Sequence, residues 1–139
     1  MVELVDIAPT ILDAANIDIP ASMQGTSLIP LLSGDVDIDQ HKPHVFCEYH
    51  DAMAAGTVNL DGREFDASHG TMYFDGQYKI CVYHGHEVGE IYDLETDPNE
   101  FKNLWDDPDK MDLKLRLLKK HVDAFAMTTS AGIERIKAY

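Results

Sequence analysis

Seven histidines are the residues best suited to chemistry: His41, His44, His50, His69, His84, His86 and His121. Imidazole exchanges a proton near neutral pH, and its bare nitrogen ligates metals. His84-Gly85-His86 has the i, i+2 spacing of a turn chelate. The sequence fixes no third ligand, and even an open catalytic zinc site needs three. No metal site is therefore assigned, and no catalytic residue. His50 and His69 each adjoin an apolar, strand-like run, at strand ends where loops line clefts. Glu64 and Asp66 have the spacing of an acid/base pair, but 25 acidic residues make such pairs common by chance. Cys47 and Cys81 both fall in strand-like runs. They either close one disulfide or pack as buried free thiols, and the second is the expectation.

The elements that must position these residues are legible from period and punctuation. Residues 3–16 read as a helix, with Leu4, Ile7, Ala8, Ile11, Leu12 and Ala15 on one side. Pro9 fits only near its first turn, and Asn16 suits a left-handed cap. Residues 17–43 are loop-like, punctuated by Pro20, Gly25, Pro30, Gly34 and Pro43, with one apolar turn at Leu28 to Leu32. Strands are expected at 44–49, 70–74, 78–83 and 90–94. Asp75-Gly76 is a hairpin turn signal, which makes the strands an antiparallel meander. The long connection from Asp51 to Ser68 reads as a functional or disordered loop. Residues 109–127 read as an amphipathic helix striped by Met111, Leu115, Leu118, Val122 and Phe125, with Leu117 and His121 widening or flanking the stripe. Asp106, Asp107 and Asp109 suit its N-terminal dipole. Phe101, Leu104 and Trp105 are expected to return apolar surface to the core, and residues 133–136 to form a helical turn. The fold class is α+β: a small antiparallel sheet of about four strands, a C-terminal amphipathic helix packed on one face, and an N-terminal helix.

Four segments carry a family resemblance. Glu90-Ile91-Tyr92-Asp93-Leu94 followed by Asp97-Pro98-Asn99-Glu100 and Asn103-Leu104 resembles a signature near the C-terminus of sulfatases. Val5-Asp6-Ile7-Ala8-Pro9-Thr10 resembles a sulfatase helix, and Gly25-Thr26-Ser27-Leu28-Ile29-Pro30-Leu31-Leu32 the segment that follows it. Met72 to Ile80 resembles the family's hairpin, with Phe74 at a position often basic in relatives. The resemblance covers roughly residues 2–107. It implies that residues 1–43 are the end of a large α/β domain and residues 44–139 the sulfatase C-terminal subdomain. It also implies a parent that uses formylglycine and a divalent metal, calcium or magnesium. Neither Cys47 nor Cys81 is followed by the Pro and Arg that formylglycine formation requires, and the family's metal motifs lie upstream. No cofactor is thus expected in this chain.

The resemblance further places the strand ends beside the parent's active site, so His50 and His69 are the candidate substrate-binding residues. The chain is read as a structural, cleft-lining C-terminal fragment of a sulfuric ester hydrolase, not catalytically complete alone. The alternatives are a free-standing binding module of sulfatase-like fold, or the equivalent segment of a phosphonate or phosphodiester hydrolase. The expected partner is the missing N-terminal sulfatase domain. Without it, the apolar face along Ile7, Ile11 and Leu12 favours a homo-oligomer. A formal charge of −14 excludes nucleic acid and anionic membrane surfaces. No apolar run approaches the ~20 residues of a membrane helix, and no leader opens the sequence. The compartment is left unassigned. With 139 residues, 45% of them hydrophobic, the chain suits one folded domain.

Overall fold

Asp75 and Gly76 turn the chain as their chemistry dictates. The Asp75 carboxylate accepts from the amides of Gln77, at 3.3 Å, and Tyr78, at 2.9 Å. Gly76 takes a φ of 97° at the first central position of the turn, which costs glycine nothing. Strands β2 (His69–Phe74) and β3 (Tyr78–His84) run back from this turn. β1 (Val45–His50) pairs with β2, and β4 (Gly89–Asp93) with β3. The sheet order is β1-β2-β3-β4 with every pair antiparallel, the expected meander. This computed structural model describes residues 1–50 and 69–128. The expected loop at 51–68, the Glu64 and Asp66 pair and the turn at 133–136 lie outside the described residues.

The cross-strand register sorts the side chains. Phe46, Thr71, Tyr73, Ile80, Val82 and Ile91 share one face of the sheet. Residues 111–121 of the helix α3 (Met111–Thr128) cover that face, entered through a 3-10 turn at Pro108–Lys110. Leu117 and His121 are buried with Tyr73, Ile80 and Ile91. Lys120 Nζ donates to Asp75 Oδ2 at 2.7 Å and ties the helix to the hairpin turn. The expected stripe is corrected here. Met111, Leu115, Val122 and Phe125 are exposed, and the buried line is Leu117, His121 and Ala124. The two lines lie about a third of a turn apart on a 3.6-residue helix. The sheet selects the one that brings His121 to Thr71.

The opposite face carries Cys47, Tyr49, Gly70, Met72, Cys81 and Tyr83. These residues line a shallow apolar cleft of about 280 Å³. Cys47 and Cys81 are both free. Each pairs with Met72, on opposite sides, so two strand spacings of roughly 10 Å separate them. That exceeds the reach of a disulfide. Cys47 is exposed, against the expectation of burial. Burial, helped by the Glu90 carboxylate, pushes the Cys81 thiol up to about 11.

Past β4 the chain is held by one amide. Asn103 Oδ1 accepts from the backbone N–H of Ile91 and of Trp105, both at 3.0 Å. Its Nδ2 donates to the Gly89 carbonyl at 3.1 Å. Leu104 N–H then bonds the Ile91 carbonyl at 2.8 Å. Leu104 and Trp105 are thereby buried, and Lys114 Nζ lies 3.8 Å over the Trp105 ring. Gly89 must be glycine, because a Cβ there would stand 2.4 Å from that ring. Phe101 corrects the sequence reading. It is 88% exposed, because Asp97 Oδ2 captures the Lys102 amide at 2.8 Å and the turn ends with Phe101 outside the core.

Residues 43–121 form one compact unit, and residues 1–42 with the stretch from Val122 another. The second is organised by Asp6, which is fully buried. Its carboxylate accepts from Lys42 Nζ at 2.7 Å, Thr26 N–H at 2.8 Å and Glu3 N–H at 2.9 Å. Burial raises its pKa, but the Lys42 ammonium and the two amides outweigh that and hold it below the usual value. α1 (Ile7–Ala14) follows, with Pro9 buried in its first turn. It closes in a Schellman motif: Asn16 at φ 55°, Asn16 N–H to Asp13 O, and Ile17 N–H to Leu12 O. Thr10 Oγ1 accepts from Leu28 N–H at 2.9 Å, and Ser27 Oγ donates to Asp13 Oδ2. Gly25 passes so close to Val5 that a Cβ would lie 2.0 Å from its carbonyl oxygen. The short helix α2 (Ile29–Ser33) ends at Gly34. One side of α1 is apolar and exposed at Ile7 and Ile11, the last 63%, and Leu4 in the 3-10 turn before it (Leu4–Asp6) is exposed too.

Replacing Asn103 by Ala removes three hydrogen bonds from a partly buried site and should cost about 2–4 kcal/mol. Phe101→Ser should stay within about 0.5 kcal/mol. Urea unfolding of both variants checks the contrast, and equal midpoints would refute it.

Candidate functional site

Three of the sheet's histidines stand in one row. The register pairs His50 with His69 and His69 with His84, so all three project from the helix-covered face. The His50 and His69 rings stack with centroids 3.8 Å apart, and those of His69 and His84 lie 4.8 Å apart. His121 extends the row from α3, its ring 6.4 Å from that of His84 and 5.4 Å from that of Phe46. Thr71 sits beneath, 2% exposed. Its Oγ1 lies 2.7 Å from His84 Nε2 and 2.8 Å from His121 Nε2.

The row is exposed at His50 and His84 and buried at His121. His50 is exposed, with Nε2 3.4 Å from Glu48 Oε2. His69 Nε2 is buried and has no hydrogen-bond partner among the described residues. Desolvation, together with the neighbouring His50 and His84, pushes the His69 pKa below the ordinary histidine value against a smaller pull from Glu48. His121 is 3% exposed. Burial lowers its pKa too, partly offset by a hydrogen bond to the Thr71 backbone. His69 and His121 are therefore both biased toward the uncharged form. Such rings donate or accept hydrogen bonds and can pass a proton to an oxygen set against them.

The structure brings both sequence candidates, His50 and His69, together. It separates the pair that looked like a chelate: His84 turns to Thr71, while His86 is exposed in the turn after β3, where Gly85 takes φ 85°. Among the described residues no cluster of three or more His, Cys, Asp or Glu could hold a metal ion. Sequence reasoning missed Thr71, His84 and His121 as members of the site. For His84 a signal existed, since the Asp75-Gly76 turn fixes the β2–β3 register and so sets His84 opposite His69.

The chain has clear relatives. The sequence profile described as N-sulphoglucosamine sulphohydrolase, C-terminal, matches residues 1–126. A Delta 4,5-hexuronate-2-O-sulfatase of Bacteroides thetaiotaomicron is 35% identical over 103 residues, which are 74% of this chain and 19% of that protein. The solved structure of a 2-O GAG sulfatase superposes with a TM-score of 0.66 at 30% identity, over 88% of this chain and 24% of the other. A phosphonate monoester hydrolase from Silicibacter pomeroyi superposes with a TM-score of 0.72 at 20% identity, over 91% of this chain and 25% of the other. At that identity the likeness is one of fold. The chain spans about a fifth of the length of the curated sulfatases it matches.

The lowered histidines make stability depend on pH. The folded pKa of His69 and of His121 lies below the unfolded 6.5, so the unfolded chain binds more protons just under that value. Stability should be full above pH 6.5, fall as pH drops below it, and level off beneath the folded values. The lowered carboxyls of Asp6 and Asp75 add their own loss only nearer pH 3.8 and below. Thermal melts from pH 7.5 to 5 check this. His121→Gln should flatten the slope, and a midpoint rising on acidification would refute it.

Proposed function

The chain belongs to the sulfatases, in the N-sulphoglucosamine sulphohydrolase C-terminal family, and from that premise we propose that it forms one wall of a sulfatase substrate cleft. The observation that carries this reading is the histidine row, whose His69 Nε2 is buried without a partner among the described residues. His50 and His69 are its ligand-facing members. They hydrogen-bond the sulfate ester or its leaving oxygen, and desolvation biases His69 toward its uncharged form.

Residues 1–43 then belong to the end of a large α/β domain and residues 44–139 to the C-terminal subdomain. The whole protein is a sulfuric ester hydrolase using formylglycine and calcium or magnesium. The described residues of this chain do not fit either group. They lack a three-ligand cluster, and Cys47 and Cys81 lack the following Pro and Arg. The nucleophile and cation are supplied by residues outside this segment, and the segment contributes binding and shape. The 35% identity to the hexuronate-2-O-sulfatase and 30% to the 2-O GAG sulfatase support a sulfate ester as the substrate class. The partner is the large sulfatase domain, docked on the exposed apolar side of α1. In its absence that side associates with a second copy.

Two measurements bear on this. In a full-length sulfatase carrying this segment, His69→Ala should lower kcat/KM by about 10–100-fold, or 1.4–2.7 kcal/mol. Unchanged kcat/KM across its substrates would remove His69 from the site. For the 139-residue chain by itself, light scattering should show mass rising with concentration. The double variant Ile7→Lys, Ile11→Lys should abolish that rise; a monomeric wild type over a wide range would sink the docking role of α1.

A further inference from the structure

Thr71 is more than a floor for the histidine row, because its hydroxyl stands between two imidazole nitrogens. A threonine hydroxyl has one proton to give and two lone pairs. Among the described residues its Oγ1 has two partners, His84 Nε2 at 2.7 Å and His121 Nε2 at 2.8 Å. If both nitrogens were bare, one would go without a bond in a nearly dry site. If both carried protons, the hydroxyl hydrogen would have no acceptor. The arrangement that satisfies all three groups has one ring donating to Thr71 and the other accepting from it. The two rings must therefore be opposite tautomers at Nε2.

Burial decides the direction. A protonated imidazole donates from both nitrogens, so the ring that takes charge has to be the donor. His121 is 3% exposed and lies in the core against Phe46, where charge is costly. His84 lies at the exposed end of β3. We propose that Thr71 is a positioning residue that orders a chain of hydrogen bonds from His84 Nε2–H to Thr71 Oγ1–H to His121 Nε2. It locks His121 as the neutral Nδ1–H tautomer and confines the pair's proton to His84.

Both bonds of the chain run through Nε2 atoms, so neither engages His84 Nδ1. A charge on His84 also disfavours one on His69, 4.8 Å away. Among the described residues, the titratable groups facing the row include His50 and Glu48 from β1, His69 from β2, His84 from β3 and His121 from α3. Glu48 sits at the His50 end. On the cleft-wall reading above, the relay keeps His69 an uncharged hydrogen-bonding ring for the ligand.

The test is nitrogen-15 NMR of the 139-residue chain labelled at histidine, with long-range proton–nitrogen correlations reporting each ring's protonated nitrogen. His121 should show a bare Nε2 and a protonated Nδ1 at pH 7.5, and keep that pattern as the pH is lowered to 5.5. Thr71→Ser, which retains the hydroxyl, should keep it. Thr71→Val should lose it, giving a mixed-tautomer signal at His121. A protonated Nε2 on His121 in the wild type would overturn the proposal, and so would simultaneous charging of both rings. Loss of the pattern in Thr71→Ser would also overturn it, a readout that holds even if the valine variant fails to fold. No ligand or turnover enters the experiment, so its failure and that of the cleft-wall reading are separable.

Discussion

The side chain of Asn103 does the work of a missing strand. β4 would present its outer N–H and C=O groups to whatever follows, and unpaired backbone groups at a partly buried edge cost free energy. The Asn103 amide answers both polarities at once, accepting from Ile91 and donating to Gly89. The same oxygen accepts from Trp105, which fixes where the indole lands. The indole in turn leaves no room for a Cβ at Gly89, and its backbone carbonyl anchors Lys114 at 2.9 Å. Lys114 belongs to the first turns of α3, so the amide indirectly sets the helix that delivers His121 to Thr71. The path from one side-chain amide to the histidine row is a chain of contacts, each with a length.

The residues that make the chain resemble sulfatases are mostly fasteners of this kind. Asp6 gathers Glu3, Thr26 and Lys42, while Thr10 and Asp13 catch the amide of Leu28 and the hydroxyl of Ser27. Together they bind the helix motif to the Gly-x-Ser-Leu motif. Asp97 and Asn103 do the same for the C-terminal signature. None of these groups belongs to the histidine row. Kinship is written in the staples, and the residues offered to a ligand sit at strand ends between them.

That separation explains what could be read beforehand. The four strands and both long helices follow from period and punctuation. The Schellman cap at Asn16 and the hairpin at Gly76 follow from single residues whose backbone demands are local. The α3 face was misjudged because Met111, Leu115, Leu118, Val122 and Phe125 form the most apolar line. The sheet prefers a line containing His121, whose polarity Thr71 satisfies. Phe101 was misjudged because apolarity was given more weight than the Asp97–Lys102 turn. His50 and His69 were legible as strand-end residues, but their stacking was not. It depends on the β1–β2 register, which no short turn fixes. Thr71 carries no signal of its own, since only the tertiary meeting of two imidazoles gives its hydroxyl a task.

The meander also has a kinetic meaning. From β2 to β4 every strand finds its neighbour a few residues away, so the entropy of closing those connections is small. Pairing can begin at the Asp75–Gly76 bend and spread outward, with α3 arriving last to cover a sheet already in register. Only β1 must close a long connection. The innermost histidine pair, His69 and His84, is thus assembled by the quickest event available to the chain, and His50 joins it later.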